Sequence, residues 1–553
     1  MHDIVATESL NGPEHLAKDM RKTLINSAEN DVIGDWVDAH AYNFPDRDAI
    51  VFEDMAISYG QLKIHVDQCA QRLLDCGLVA GDCIAVLCTP RPEAFISFLA
   101  AARIGALWLG LNPRYQMPEL DYVLGDSRPR LLMSLDTLEG RDYVGDIRAL
   151  AKKHPYVETI VMMQRHPGGR SSFYDWIDRE YLTSSVAPGG PETERRVVDA
   201  AMPALLVYTS GSSGKPKGVL LSHRSLIRRS LTQNEKFPSI TWPQVLNPLP
   251  VNHIGGMHFM GLFAFIGGGT IHYSERFSAS EFVRALETGR INILILLPTM
   301  FKMMVDQPGF VPSLLSKLEW FVFSGAAMAP ELLEMIRLSG CPLGLTYGMT
   351  ETCGSVTYSD PDASLEVLAN TIGRAVPDGE ARVADALGVL TSHGVAGELQ
   401  INPLHAMSGY FKREQATRDA YTPDGWLRTG DTAIMRTDGN IRFIGRSSEM
   451  FKSGGYNVYP REVELAIETL DAVVLSAVVS VPDPLFDEVG WAYVVIAAGR
   501  QITETELSSW CKSQLANYKV PKRFILKTEL PLLPVGKVDK VTLKKIAIGE
   551  QMN

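Results

Sequence analysis

Apolar positions along this chain follow two rhythms. Leu62–Leu74 spaces them as an amphipathic helix does, and Cys83–Leu87 is an unbroken apolar run short enough to be a buried strand. Glu93–Ile104 predicts a helix packed on that strand. Ile291–Leu297 and Trp320–Phe323 predict two further strands, the first followed after Pro298 by a helix over Met300–Asp306. Repeated strand–helix alternation across residues 50–445 predicts parallel sheets covered by helices. Between Arg374 and Asp431, short strands and glycine turns predict a β-rich subdomain. A polar break falls near Gly445-Arg446, and the rhythm then restarts. Helices are expected over Pro460–Leu470 and Glu504–Leu515, and strands over Val473–Val481, Trp491–Ala497 and Arg523–Lys527. The expected fold is α/β. Residues 1–445 form a large N-terminal domain of helix-covered sheets with the β-rich subdomain, and residues 446–553 a small mobile α+β domain.

Length supports two domains, since 553 residues exceed one comfortable core. A net charge of −11 disfavours a nucleic-acid partner, though one local cluster of Lys and Arg suffices for a nucleotide. The longest apolar stretch, Gly255–Ile271, is interrupted by Gly267–Gly269 and carries His258, so no integral membrane segment is expected. No secretory pattern opens the sequence. The seven cysteines are odd in number and lack paired CxxC spacing, which predicts reduced thiols, a cytoplasmic location and no zinc site.

The strongest chemical signal is Leu205–His223, LLVYTSGSSGKPKGVLLSH. Two strand-like runs, Leu205–Tyr208 and Val219–Leu221, flank a loop with almost no side-chain bulk. Gly211, Gly214 and Gly218 are expected to supply positive φ, and Thr209, Ser210, Ser212 and Ser213 supply hydroxyls. Lys215 and Lys217 add positive charge. This chemistry holds phosphate. The loop is not a Walker A site, because Pro216 follows Lys215 and the next run predicts a strand rather than a helix.

Four more elements follow in order: Tyr347-Gly348-Met349-Thr350-Glu351; Trp426-Leu427-Arg428-Thr429-Gly430-Asp431; Gly445-Arg446 with Lys452-Ser453-Gly454-Gly455-Tyr456-Asn457-Val458-Tyr459-Pro460; and Pro531-Leu532-Leu533-Pro534-Val535-Gly536-Lys537-Val538. Together with the first loop they resemble the adenylate-forming superfamily of acyl-CoA synthetases, carrier-protein adenylation domains and beetle luciferases, over nearly the whole chain. That resemblance implies an ATP-dependent ligation in two steps. A carboxylate displaces pyrophosphate from Mg-ATP to give an acyl-adenylate, and a thiol then displaces AMP.

The resemblance also implies roles. Thr209, Ser210, Gly211, Ser212, Ser213, Gly214 and Lys217 would hold the β- and γ-phosphates. Gly325, Ala326, Ala327, Thr346, Tyr347, Gly348 and Met349 match the adenine site, with Tyr347 stacking on the base. Thr350 would bond the α-phosphate and Glu351 would hold Mg²⁺. Asp431, assisted by Arg446, would accept the ribose hydroxyls, and Lys452 belongs to the same nucleotide set. Lys537 would bridge the substrate carboxylate and the α-phosphate. The hinge falls at Ser448, where the family commonly has Asp or Lys.

The thiol is expected to be coenzyme A, with Gly454, Gly455, Phe486, Tyr518 and Lys522 as its contacts. Val520 departs from an arginine often found there, and Lys519 and Arg523 are available to compensate. For the acid, His253, Gly255, Gly256, Met257, Gly325 and Gly348 suggest an uncharged slot, with Gly354 adding room. No Asp stands in Asn252–Gly256, which disfavours an α-amino acid. An aromatic, arylalkanoic, alicyclic or medium-chain small-molecule acid is expected. Carrier-protein loading is the alternative, a luciferase-like oxygenase or an inert nucleotide binder the more distant ones, and a homodimer is compatible with the sequence.

Overall fold

The computed structural model describes residues 31–166, 170–178, 198–209, 216–237, 242–376, 380–533 and 536–552. At its centre is a seven-stranded sheet in the order Gly409–Tyr410, Lys217–Ser222, Pro203–Thr209, Leu107–Leu111, Cys83–Leu87, Leu131–Leu135, Thr159–Met163. The last five run parallel, and the strands on either side of the glycine-rich loop pair antiparallel, Thr209 opposite Lys217. Cys83–Leu87 and Leu107–Leu111 are buried at every position, which is why the first reads as a continuous apolar run. The helix Pro92–Arg103 is buried along nearly its whole length, more deeply than a helix laid on one sheet face. Trp108 packs edge-on against its Phe98 and donates Nε1–H to Ser97 Oγ at 3.0 Å.

A four-stranded sheet carries Gln244–Asn247, Thr270–Tyr273, Asp48–Phe52 and Met55–Ser58. A five-stranded sheet runs Ile293–Leu296, Trp320–Ser324, Leu343–Met349, Gly354–Tyr358, Arg374–Ala375. Its first three strands are parallel, as strand–helix alternation predicts. The turn after Met349 then reverses the chain into an antiparallel pair, which the sequence did not signal. The expected β-rich subdomain is a four-stranded antiparallel sheet ending in Ile441–Arg446. A buried ion pair, Arg229 Nη1 to Glu380 Oε2 at 2.7 Å, ties the segment entering it to the helix His223–Lys236.

The chain then crosses into a small C-terminal domain. Its sheet is built on Val473–Asp483 and Asp487–Ile496, with Arg523–Lys527 parallel to the latter. Phe451–Ser453 and Tyr456–Val458, read as part of a glycine-rich loop, are in fact a tight hairpin on the same sheet. Helices Pro460–Glu468, Glu504–Gln514 and Lys540–Met552 cover it, the last unread in the sequence. Gly255–Ile271 resolves into a π-helical stretch over Gly255–Leu262, a short helix Phe263–Ile266 and the strand at Thr270. Among the described residues no helix is long and apolar enough to cross a membrane. All seven cysteines are free thiols.

Candidate active site

Strand ends build the site. Residues 210–215, which include Ser210, Gly211, Ser212, Ser213, Gly214 and Lys215, lie outside the described residues. The strands that present them, Pro203–Thr209 and Lys217–Ser222, are a hairpin, as the absence of a Walker helix requires. Gly218 does not have the positive φ expected of it. Its Cα instead packs so closely that a Cβ would lie 2.8 Å from Leu206 Cδ1.

Lys217 Nζ lies 5.0 Å from the centre of the Tyr410 ring, and Tyr410 donates its hydroxyl to Glu351 Oε1 at 2.9 Å. Tyr410 thus joins the phosphate loop to the carboxylate matched to Mg²⁺. Nothing in the sequence marked it, because its short strand reaches the site only by pairing with Val219. Glu351 is buried, and among the described residues no cluster of three His, Cys, Asp or Glu surrounds it. A single carboxylate suits Mg²⁺, which keeps several waters and takes the rest of its shell from substrate phosphates.

The turn Tyr347–Glu351 is pinned from within. Thr352 Oγ1 accepts the Met349 N–H at 2.9 Å and donates to Gly354 O at 2.7 Å. Thr346 is buried and shares a hydrogen bond with Ser355 at 2.8 Å, and Thr350 is buried beside them. Gly348 has no room for any side chain, since a Cβ would fall 2.0 Å from Gly354 O.

Antiparallel register sets Asp431 directly opposite Arg446. Asp431 is fully buried, receives the Tyr347 hydroxyl on Oδ2, and has Arg446 Nε 3.2 Å from Oδ1. That second contact has ion-pair distance without hydrogen-bond alignment, so Oδ1 is a buried acceptor left unsatisfied. Two ribose hydroxyls would complete it. Burial raises the Asp431 carboxyl pKa above its usual value against the pull of Arg446, while burial and then Asp431 push the Tyr347 phenol far up.

Lys537 reaches this cleft from the small domain. Its loop closes through Leu533 N–H to Lys537 O at 2.7 Å and Gly536 N–H to Leu533 O at 2.8 Å. Gly325 has φ +81°, and a Cβ there would lie 3.1 Å from Lys537 Cε and 3.6 Å from Nζ. Burial, then the Arg446 charge, lowers the Lys537 pKa. Ala326 and Ala327 continue the turn after Gly325. His253 is held down to about 4 by burial and by Lys537. Its Nδ1 accepts the Gly255 N–H at 3.0 Å, so the neutral ring carries its proton on Nε2. Gly256 is wedged against Leu249 O, 2.5 Å from where a Cβ would stand, and Met257 is buried.

The residues matched to coenzyme A cluster elsewhere, on the small domain. Gly454 N–H donates to Phe486 O at 2.8 Å, Lys522 Nζ lies 4.7 Å from the Phe486 ring centre, and Gly455 follows with φ +86°. Tyr518 stacks on the exposed Tyr456 at 4.6 Å. Val520 is core, and Lys519 is engaged by Glu462 at 2.6 Å. Lys452 stands exposed on Phe451–Ser453. Ser448 is exposed in the turn joining the domains.

A small domain closing a buried lysine onto a glycine-lined cleft at strand ends is the architecture of adenylate-forming enzymes. The chain belongs to the AMP-binding enzyme family, which matches residues 37–411, with the family's C-terminal domain matching 462–537. It falls in the acyl- and aryl-CoA ligase branch and is by class an AMP-forming acid–CoA ligase. It is 32% identical to the indoleacetate–CoA ligase of Aromatoleum aromaticum, covering 93% of this chain and 98% of that one. It is 29% identical to the medium-chain acyl-CoA ligase ACSF2, mitochondrial, of Homo sapiens, covering 93% and 87%. ATP-bound MatB from Rhodopseudomonas palustris superposes with a TM-score of 0.82 at 27% identity, covering 93% and 98%.

Proposed function

We propose that the pose seen here is the one that makes the acyl-adenylate, and that the acid is aromatic, arylalkanoic, alicyclic or medium-chain. The position of Lys537 beside Gly325 carries this reading. As an acid oxygen attacks the α-phosphorus and pyrophosphate leaves, negative charge gathers between two anions. A desolvated ammonium fixed in that gap opposes it without reorganising. Thr350 holds the α-phosphate, Tyr347 covers the base, and Asp431 Oδ1 takes the ribose hydroxyls. Thr209 to Gly214 with Lys217 grip the outer phosphates. Mg²⁺ on Glu351 supplies neutralising charge to those phosphates when bound. The joint between domains 1–445 and 446–553 then turns at Ser448 and brings Lys452 and Gly454-Gly455 to the cleft for attack by the coenzyme A thiol, whose nucleotide rests on Phe486, Tyr518 and Lys522.

The acid slot is framed by His253, Gly255, Gly256, Met257, Gly325 and Gly348, with His253 uncharged. Uncharged His253 and buried Met257 favour an apolar acid tail over a second charge, and the indoleacetate and medium-chain relatives support that choice. Gly256, Gly348 and Gly354 serve close packing against Leu249 O, Gly354 O and His258 rather than adding room as expected. The test of the chemistry is Lys537→Ala. Acid-dependent exchange of pyrophosphate into ATP is expected to fall by ~10²–10³-fold, while supplied acyl-AMP still becomes thioester. Equal loss of both half-reactions would refute the assigned role. The acid class is tested by a carboxylic acid panel read as thioester mass, and loading of a carrier protein in preference to free coenzyme A would replace the acceptor.

A further inference from the structure

We propose that the Thr299 hydroxyl is a latch that seats the Lys537 loop, making Thr299 a positioning residue for adenylate formation. This rests on the reading that Lys537 acts in the first half-reaction. Thr299 stands near the start of the helix Pro298–Val305 in the large domain, far from residue 536 in sequence. Its Oγ1 donates to Gly536 O at 3.1 Å, directly across the gap between domains. That carbonyl belongs to the peptide unit leading into Lys537, so holding it fixes the direction in which the lysine leaves the loop.

Packing forms the rest of the seat. A Cβ on Gly536, where φ is +81°, would lie 3.4 Å from Met300 Cε and 3.5 Å from Leu297 Cδ1. The other methyl of Leu297 lies 3.0 Å from the Cβ position of Gly325. One leucine therefore backs both the glycine beside the ammonium and the glycine preceding it. Apolar contact alone would let the loop slide over this corner, whereas a directional hydrogen bond sets its register. The bond can exist only while the small domain presents Lys537. It should therefore stabilise one pose and be absent from the other.

Thr299→Val keeps shape and removes the donor. Acid-dependent pyrophosphate exchange is expected to fall about three- to tenfold, the size of one neutral hydrogen bond. Thioester formation from supplied acyl-AMP should be unchanged or faster, and Thr299→Ser should restore exchange. A merely structural threonine would instead lower both half-reactions together and resist rescue by serine; that pattern overturns the latch. Lys537→Ala is run beside it. Normal exchange in Thr299→Val with exchange lost in Lys537→Ala overturns the latch alone, whereas normal exchange in Lys537→Ala removes the underlying reading and the latch with it.

Discussion

Burial strips water from the Lys537 ammonium, and this has a pH signature. Its folded pKa lies below the usual 10.5, so the cost of enclosing the charge is fully present below that folded value. The cost is relieved as pH climbs from there towards 10.5, because the neutral amine is not penalised. The role proposed for Lys537 needs the charged form. The rate of pyrophosphate exchange should therefore fall on an alkaline limb beginning below 10.5, a limb absent from thioester formation on supplied acyl-AMP. Asp431 has the opposite charge and the same solvation problem. Tyr347→Phe removes the hydroxyl donor to its Oδ2 and leaves a fully buried carboxylate less satisfied. A loss of about 1–3 kcal/mol is expected, with weaker nucleotide binding, checked by thermal melting with and without AMP. At this scale the sequence exposed the residue types, yet Tyr410 and Thr299 passed unnoticed. Tyr and Thr are common, and what distinguishes these two is a partner 59 residues away in one case and 237 in the other.

Elements decide how tightly those residues are held. The hairpin Leu343–Met349 and Gly354–Tyr358 brings two backbones together at Gly348, where a Cβ would lie 2.0 Å from a carbonyl oxygen. Gly348→Ala must spread the strand carrying Tyr347 from its partner and disturb the turn that holds Thr350. A destabilisation of about 1–3 kcal/mol is expected, seen as a lower melting temperature together with lost AMP binding. Strands such as Cys83–Leu87, Ile293–Leu296 and Trp320–Ser324 were legible, because a buried strand writes itself as a short apolar run. The antiparallel turn after Met349 and the hairpin at Phe451–Val458 were not. Their pairing depends on register with distant strands, and a run of Ser and Gly carries no period to announce it.

Across the whole molecule the two half-reactions make opposite demands. The adenylate step proposed above uses Lys537 at Gly325, whereas Gly454, Phe486, Tyr518 and Lys522 cluster in turns and short connections of the small domain. In the proposed mechanism, rotation about the Ser448 turn would reconcile them. Ser448→Pro fixes one φ there and should slow thioester formation more than pyrophosphate exchange, measured as separate half-reactions. Lys522 Nζ rests over the Phe486 ring, while Lys519, over the Tyr518 ring, is already paired with Glu462. Lys522→Ala should accordingly raise the KM for coenzyme A severalfold with little change in KM for ATP.

The amino-acid sequence alone determined the class of chemistry, the two-domain plan and several of the buried strands. These follow from local composition: glycine and hydroxyl runs, apolar periods and a polar joint. Tertiary structure alone decided that Tyr410 reaches Glu351 and that Lys537 lies against Gly325 with Thr299 bonded to its loop. Each is a contact between segments remote in the chain. Strand register, close packing at glycines and domain closure fix such contacts, and none of the three leaves a local mark in sequence.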